Sequence, residues 1–234
     1  MSETDSGEQR TTVKRPPDLL AGHPATAYFW GHVAGSGTVT GDGIEIEAND
    51  EPSAEVLAAI AGSSSDESET IDREQTTRAY AHDTSITRTE ETYTVSIDGD
   101  SLFGASGSLG LPVDSEGNYR FTAFSNHGRE LLRGLLEGCG TVCFKSSSGT
   151  VGISFVHDSR PLLEEIQQLL SACPVDAPTD EIAETSSGGY WFGVEDAAAP
   201  ALGEWLYETA GETGLYAPTR RRKLERSIEQ VTNQ

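Results

Sequence analysis

The sequence predicts an α+β fold made of two tandem αββαββα units related by a pseudo-twofold, each contributing one antiparallel sheet. Three observations predict it. Gly31, Gly37 and Thr38-Val39 recur as Gly134, Gly140 and Thr141-Val142, each 103 positions later. Self-similarity at a fixed spacing marks a duplicated unit. Each copy then continues into a short alternating segment, and next into apolar positions at helical spacing.

In the first copy, Tyr28 to Gly37 reads as a helix closed by glycine. Thr38-Val39 and Gly43-Ile44-Glu45-Ile46 form a hairpin, and Val56, Leu57 and Ile60 give a helix over 52–60. Tyr93 to Asp98 is a strand leading into a closing helix. In the second copy Leu131 to Cys139 is the helix, and Gly152-Ile153-Ser154-Phe155 completes the hairpin. Leu162, Leu163, Ile166, Leu169 and Leu170 mark a helix over 160–170, and Tyr190 to Glu195 is a strand. Residues 1–20 are polar with Pro16-Pro17, and are expected to be a disordered tail. Gly62 to Glu69 reads as a loop. The remainder, 21–234, is expected to be one pseudo-dimeric domain, with repeat one at about 24–110 and repeat two at about 125–230.

Composition bounds the function. The chain has 38 acids against 16 bases, a net charge of −22, and thirteen of the bases are arginines. This acidic, lysine-poor style resembles that of haloarchaeal proteins, in which molar salt shrinks the Debye length to about 3 Å and screens self-repulsion. Acidity is therefore no argument against a nucleic-acid partner. No apolar run is long enough to span a bilayer, and the first residues lack the apolar core of a signal peptide. Three scattered cysteines do not make a disulfide framework. A soluble, cytoplasmic protein with no membrane partner is expected. No GxGxxG, Walker loop, HExxH or GxSxG occurs, so no organic cofactor is implied. Cys139 and Cys143, with His127 and His157, lack paired ligand spacing, so no metal is expected there and the cysteines read as small buried residues.

Phe29 to Gly37 (FWGHVAGSG) and Leu132 to Gly140 (LRGLLEGCG), each followed by a β-hairpin, resemble the paired motifs of the two-motif LAGLIDADG homing endonucleases and of the related WhiA-type regulators, which share the fold without cleaving. The resemblance runs over about 24–230. It implies that the motif helices pack along the pseudo-twofold axis through Gly31, Ala34, Gly35, Gly134 and Gly138. It also implies that the two sheets form a saddle over the major groove of duplex DNA. In that family the penultimate motif residue is an acid that holds a divalent metal. Here those positions are Ser36 and Cys139, a hydroxyl and a thiol that cannot replace two carboxylates as hard anionic ligands. Glu137 lies two residues before Cys139, a rotation of about 200° on a helix, which points it elsewhere.

The reading is thus of a catalytically inactive, monomeric DNA-binding protein with a regulatory role and no metal or cofactor. Arg220, Arg221, Arg222, Lys223 and Arg226 put five bases within seven residues and are the expected phosphate anchors. Arg78, Arg88 and Lys145 are candidates on the sheets. Glu45 and Glu47 would stand on the DNA-facing surface and repel phosphate. They support the alternative of a protein-interaction module on the same scaffold, an active endonuclease being the third reading.

Overall fold

Prolines mark where helices begin. Five of the ten prolines, Pro24, Pro52, Pro161, Pro200 and Pro218, stand in the first turn of a helix, where the missing N–H costs nothing. In a computed structural model of the chain, the described residues are 13–14, 16, 18–40, 42–62, 69–80, 83–98, 107–112 and 117–232. The first copy comprises α1 (Pro24–Ser36), β1 (Gly37–Val39), β2 (Gly43–Ala48), α2 (Glu51–Ala61), β3 (Glu69–Tyr80) and β4 (Asp83–Asp98). The second opens with a 3-10 turn (Phe121–His127) and continues as α3 (Gly128–Cys139), β5 (Gly140–Lys145), β6 (Thr150–His157), α4 (Arg160–Ala172), β7 (Ala183–Glu184), β8 (Tyr190–Gly193), α5 (Ala199–Tyr207), α6 (Ala210–Thr213) and α7 (Pro218–Thr232). Two antiparallel sheets result, ordered β1-β2-β4-β3 and β5-β6-β8-β7, the same order in each copy. The expected αββαββα order is present in the second copy. In the first, the closing helix expected after Asp98 falls on 99–106, outside the described residues, as do residues 1–12 of the expected tail. Val13 and Leu19 pack against the core, and the Leu19 carbonyl accepts the Trp30 indole N–H at 2.6 Å.

Each sheet buries one face by strict alternation. On β2, Ile44, Ile46 and Ala48 are buried while Glu45 and Glu47 are exposed. On the second sheet Val142, Val151, Ile153, Phe155 and Phe192 are buried, and Phe155 stacks on its cross-strand neighbour Phe192 at 5.3 Å. The first sheet extends further than the sequence pattern predicts. Glu69, expected in a loop, begins β3, and β4 starts at Asp83 rather than Tyr93. Ile71, Asp72, Arg73 and Glu74 are all exposed, so β3 rests on no core at these positions, although the residues it pairs with on β4, Tyr93 and Val95, are buried. Alternation of apolar and polar residues has no cause there, and pattern reading has nothing to detect.

At the centre α1 and α3 pack with their backbones in contact. A Cβ on Gly31 would lie 2.3 Å from the Leu131 carbonyl oxygen, and one on Gly134 would lie 2.2 Å from that of Tyr28. One on Gly35 would meet the Cys139 amide at 2.9 Å, and one on Gly138 the Gly35 Cα at 3.0 Å. Spaced four apart on each helix, these glycines make one small-residue face per helix. Everything else about α1 is covered as well: Ala25 through Gly35 are all buried, Ala34 included. A helix apolar all round belongs in the middle of a fold, and this one is held there by both halves.

Gly134→Ala is expected to cost about 3 kcal/mol or more, because the clash is with backbone that cannot rotate away. Gly128→Ala, at the start of the same helix with open space around its Cβ position, is expected to be neutral or slightly stabilising. Urea midpoints of the two variants check this; equal midpoints would contradict the close approach.

Candidate functional site

The helix contact brings the C-terminal ends of α1 and α3 together, so Ser36 and Cys139 stand as pseudo-symmetric counterparts. Neither side chain is a charged ligand. Ser36 Oγ donates to the Glu47 carbonyl at 2.9 Å and lies 3.0 Å from His32 Nδ1. Cys139 Sγ lies 3.4 Å from the Leu135 carbonyl, and burial pushes its thiol up to about 12 against the opposing positive charge of Arg220. His32 is buried, with its pKa lowered to about 4 chiefly by desolvation, so the ring is neutral at pH 7. A neutral hydroxyl, a protonated thiol and a neutral imidazole include no carboxylate, the ligand that a hard cation such as magnesium prefers. Among the described residues, no group of three or more His, Cys, Asp or Glu is placed to hold a metal ion. His127 is turned to the Gly22 carbonyl, His157 accepts the Ser159 amide, and Cys143 stands opposite Gly152 on the second sheet.

Beneath this pair lies a buried polar cluster that sequence reasoning passed over. Glu137, on the far side of α3 from Cys139, accepts the Tyr28 hydroxyl at 2.6 Å and the Ala217 amide at 2.9 Å on Oε2, and the Tyr207 hydroxyl at 2.9 Å on Oε1. One turn earlier, buried Arg133 donates to the Leu206 and Leu215 carbonyls at 2.6 and 2.8 Å, with its guanidinium over the Tyr207 ring. Burial pushes Glu137 up to about 7, opposed by its three hydrogen bonds and by Arg133. The signal in the sequence was there: Arg133 and Glu137 are one turn apart on an otherwise apolar helix face, the spacing of an ion pair.

The cluster positions α7. Ala217, just before α7, donates to Glu137, and Thr219 donates to Asp50 Oδ2 at 2.9 Å. Asp50 also caps α2 by accepting the Ser53 amide at 2.9 Å, so one carboxylate ties helices from both copies. Through this anchoring Arg220 carries its charge to the ends of the motif helices, where it acts on His32, Cys139 and Tyr207. Arg221 pairs with Glu225 at 2.9 Å and covers the Tyr216 ring. Arg222, Lys223 and Arg226 are exposed. Leu224 packs against Gly203 of α5, which sets α7 in the helical layer beside edge strand β5 rather than on the outer sheet face.

The other basic candidates are placed differently from one another. Lys145 is tied to Asp196 at 2.5 Å, with Thr150 on the other carboxylate oxygen at 2.7 Å, so its charge is already matched. Arg78 and Arg88 face each other in the β3–β4 register, and their side chains lie outside the described residues. The outer faces of the two sheets differ. Glu45, Glu47, Asp72 and Glu74 are exposed on the first, with Thr94 opposite both Glu47 and Asp72. On the second, Thr141 is exposed and the cross-strand pair Val156 and Trp191 shows 46% and 39% of its surface.

Glu137 generates a test. Its folded pKa near 7 lies above its unfolded value of 4.5, so its stabilising contribution is complete below pH 4.5 and is lost as pH rises through 7. Glu137→Gln removes that titration. Between pH 5 and 8 the wild type is expected to lose on the order of 3 kcal/mol relative to the variant. Glu137→Leu, which leaves the Tyr28 and Tyr207 hydroxyls and the Ala217 amide buried without their acceptor, is expected to cost about 3–5 kcal/mol. Chemical denaturation at each pH measures both. Parallel wild-type and Gln profiles would show that Glu137 does not titrate in this window.

Sequence comparison matches residues 5–234 to a LAGLIDADG family described as "putative archaeal homing endonuclease". Among solved structures, the full-length DUF199/WhiA protein from Thermatoga maritima is similar with a TM-score of 0.51 at 12% identity, over 97% of this chain and 64% of that one. The homing endonuclease I-WcaI, solved bound to its DNA recognition sequence, gives 0.55 at 10% identity over 87% of each chain. The chain thus spans less than two thirds of the length of the WhiA protein. At these identities the likeness is one of fold. No curated protein sequence matches. Among the described residues, no helix is long and apolar enough to cross a membrane.

Proposed function

Because the chain belongs to this LAGLIDADG family, we propose that it binds duplex DNA without cleaving it, as a regulator. The observation that carries the reading is the pair at the ends of the motif helices. Where the resemblance puts two acids and a metal, this chain has Ser36 and Cys139, with the fixed positive charge of Arg220 close by. A fixed cation attracts phosphate but activates no water. Charge of the right sign for a phosphate backbone continues along the exposed Arg222, Lys223 and Arg226. The neutral outer face of the second sheet suits a groove surface, with hydroxyls at Thr141 and Ser154.

A second reading has its own support. Four exposed carboxylates on the first sheet, Glu45, Glu47, Asp72 and Glu74, oppose phosphate and suit a basic protein surface. Selection from random duplex DNA over a range of KCl, with and without magnesium, separates the possibilities. Enrichment of an uncut sequence is expected. Cut ends in magnesium would overturn the non-cleaving reading, and no retention at any salt would favour the protein partner. For a retained duplex, Arg222→Gln with Arg226→Gln should weaken binding across all sequences, whereas Lys145→Gln should change it by less than about threefold, because Lys145 is already neutralised.

A further inference from the structure

One groove has no part in the saddle. Thr219, Arg222, Arg226 and Gln230 follow one another at three- and four-residue steps along one face of α7, with Lys223 beside Arg222. With Phe144 of β5 they border an open groove of about 390 Å³. That volume is within the range of small-molecule sites. In a chain with 38 acids, no carboxylate lines this groove. Among the described residues no carboxylate pairs with Arg222 or Arg226, whereas Arg73, Arg129, Lys145, Arg160 and Arg221 each have one. Arg222 and Arg226 lie one turn apart and repel each other, so the fold gains nothing from the arrangement. An anion between them would remove the repulsion. The half-buried Phe144 ring adds an apolar aromatic wall, which a bare inorganic anion does not use.

We propose that this groove binds a single nucleotide unit, with its phosphate between Arg222 and Arg226 and its base against Phe144. The unit is either a free nucleotide or an unstacked end of a DNA strand, since bases stacked within a duplex present no face to an aromatic ring. Only the second source rests on the DNA-binding reading above. The groove also accounts for α7 lying beside the sheet edge rather than on the outer face.

Titration calorimetry on the full chain with dTMP, inorganic phosphate, and a short duplex with and without an unpaired end tests the assignment. Binding of dTMP is expected to be at least about tenfold tighter than that of inorganic phosphate. Phe144→Leu should remove most of that preference while leaving phosphate affinity unchanged. Arg222→Gln with Arg226→Gln should weaken dTMP by about tenfold or more and lower the salt slope of DNA binding by about two. Unchanged thermal melting of these surface variants controls for folding. Phosphate binding as tightly as dTMP, or dTMP binding that ignores the arginine pair, would overturn the proposal. If dTMP binds and neither duplex does, the groove stands as a nucleotide site and the DNA-binding reading falls. If the duplexes bind wild type and arginine variant alike while dTMP loses affinity, the groove stands as a free-nucleotide site and the strand-end source falls.

Discussion

Two helices touching backbone to backbone set the terms for this molecule. The approach at Gly31, Gly35, Gly134 and Gly138 leaves no room for a Cβ, with hypothetical contacts between 2.2 and 3.0 Å. From it follow the burial of α1 on all sides, the meeting of Ser36 with Cys139, and the placement of one sheet on either side of a shared core. Close contact of this kind gains dispersion energy over many atom pairs, and a side chain at any of these four positions would forfeit it along the whole seam. The seam therefore specifies the pairing of the halves more strictly than the apolar residues around it, whose volumes could be exchanged with less cost.

The polar cluster below the seam adds direction to what packing alone leaves loose. Glu137 and Asp50 accept the amides of Ala217 and Thr219, at and just before the first turn of α7, groups that a helix cannot satisfy by itself. Each carboxylate also acts elsewhere, since Asp50 caps α2 and Glu137 holds Tyr28 of α1 and Tyr207 of α5. The basic helix is thus fixed from both copies, and its cations are aimed rather than merely present. Buried Arg133 acts in the same way, since its bonds to the Leu206 and Leu215 carbonyls tie α3 to the end of α5 and to the segment that leads into α7.

The fold was legible because its core obeys two simple periods. The glycine echo between Gly31 and Gly134 is the direct result of backbone contact, and the alternation at Ile44 and Ile46 and the helical spacing at Leu162, Leu163 and Ile166 are the direct result of burial on one side. Strand β3 was not legible, since Asp72, Arg73 and Glu74 are exposed on both faces and carry no period. At the site, the place of Ser36 and Cys139 at the ends of the two motif helices could be read from the sequence. The positive charge of Arg220 near them could not, because it depends on contacts among Glu137, Asp50 and the start of α7 that are 80 to 169 positions apart. Lys145 illustrates the same limit: its type suggested phosphate, and Asp196, 51 positions away, holds it instead.

The two sheets are built to one plan and finished differently. At the register position after Ile46, Glu47 is exposed, and after its counterpart Phe155, Val156 is exposed beside Trp191. A dimer of two identical chains could not carry this difference, since each change on one face would be copied on the other. Joining the copies in a single chain while the glycine seam stayed fixed freed the surfaces to drift apart. The molecule now offers two unlike halves to whatever it meets, so what it meets need not be symmetric.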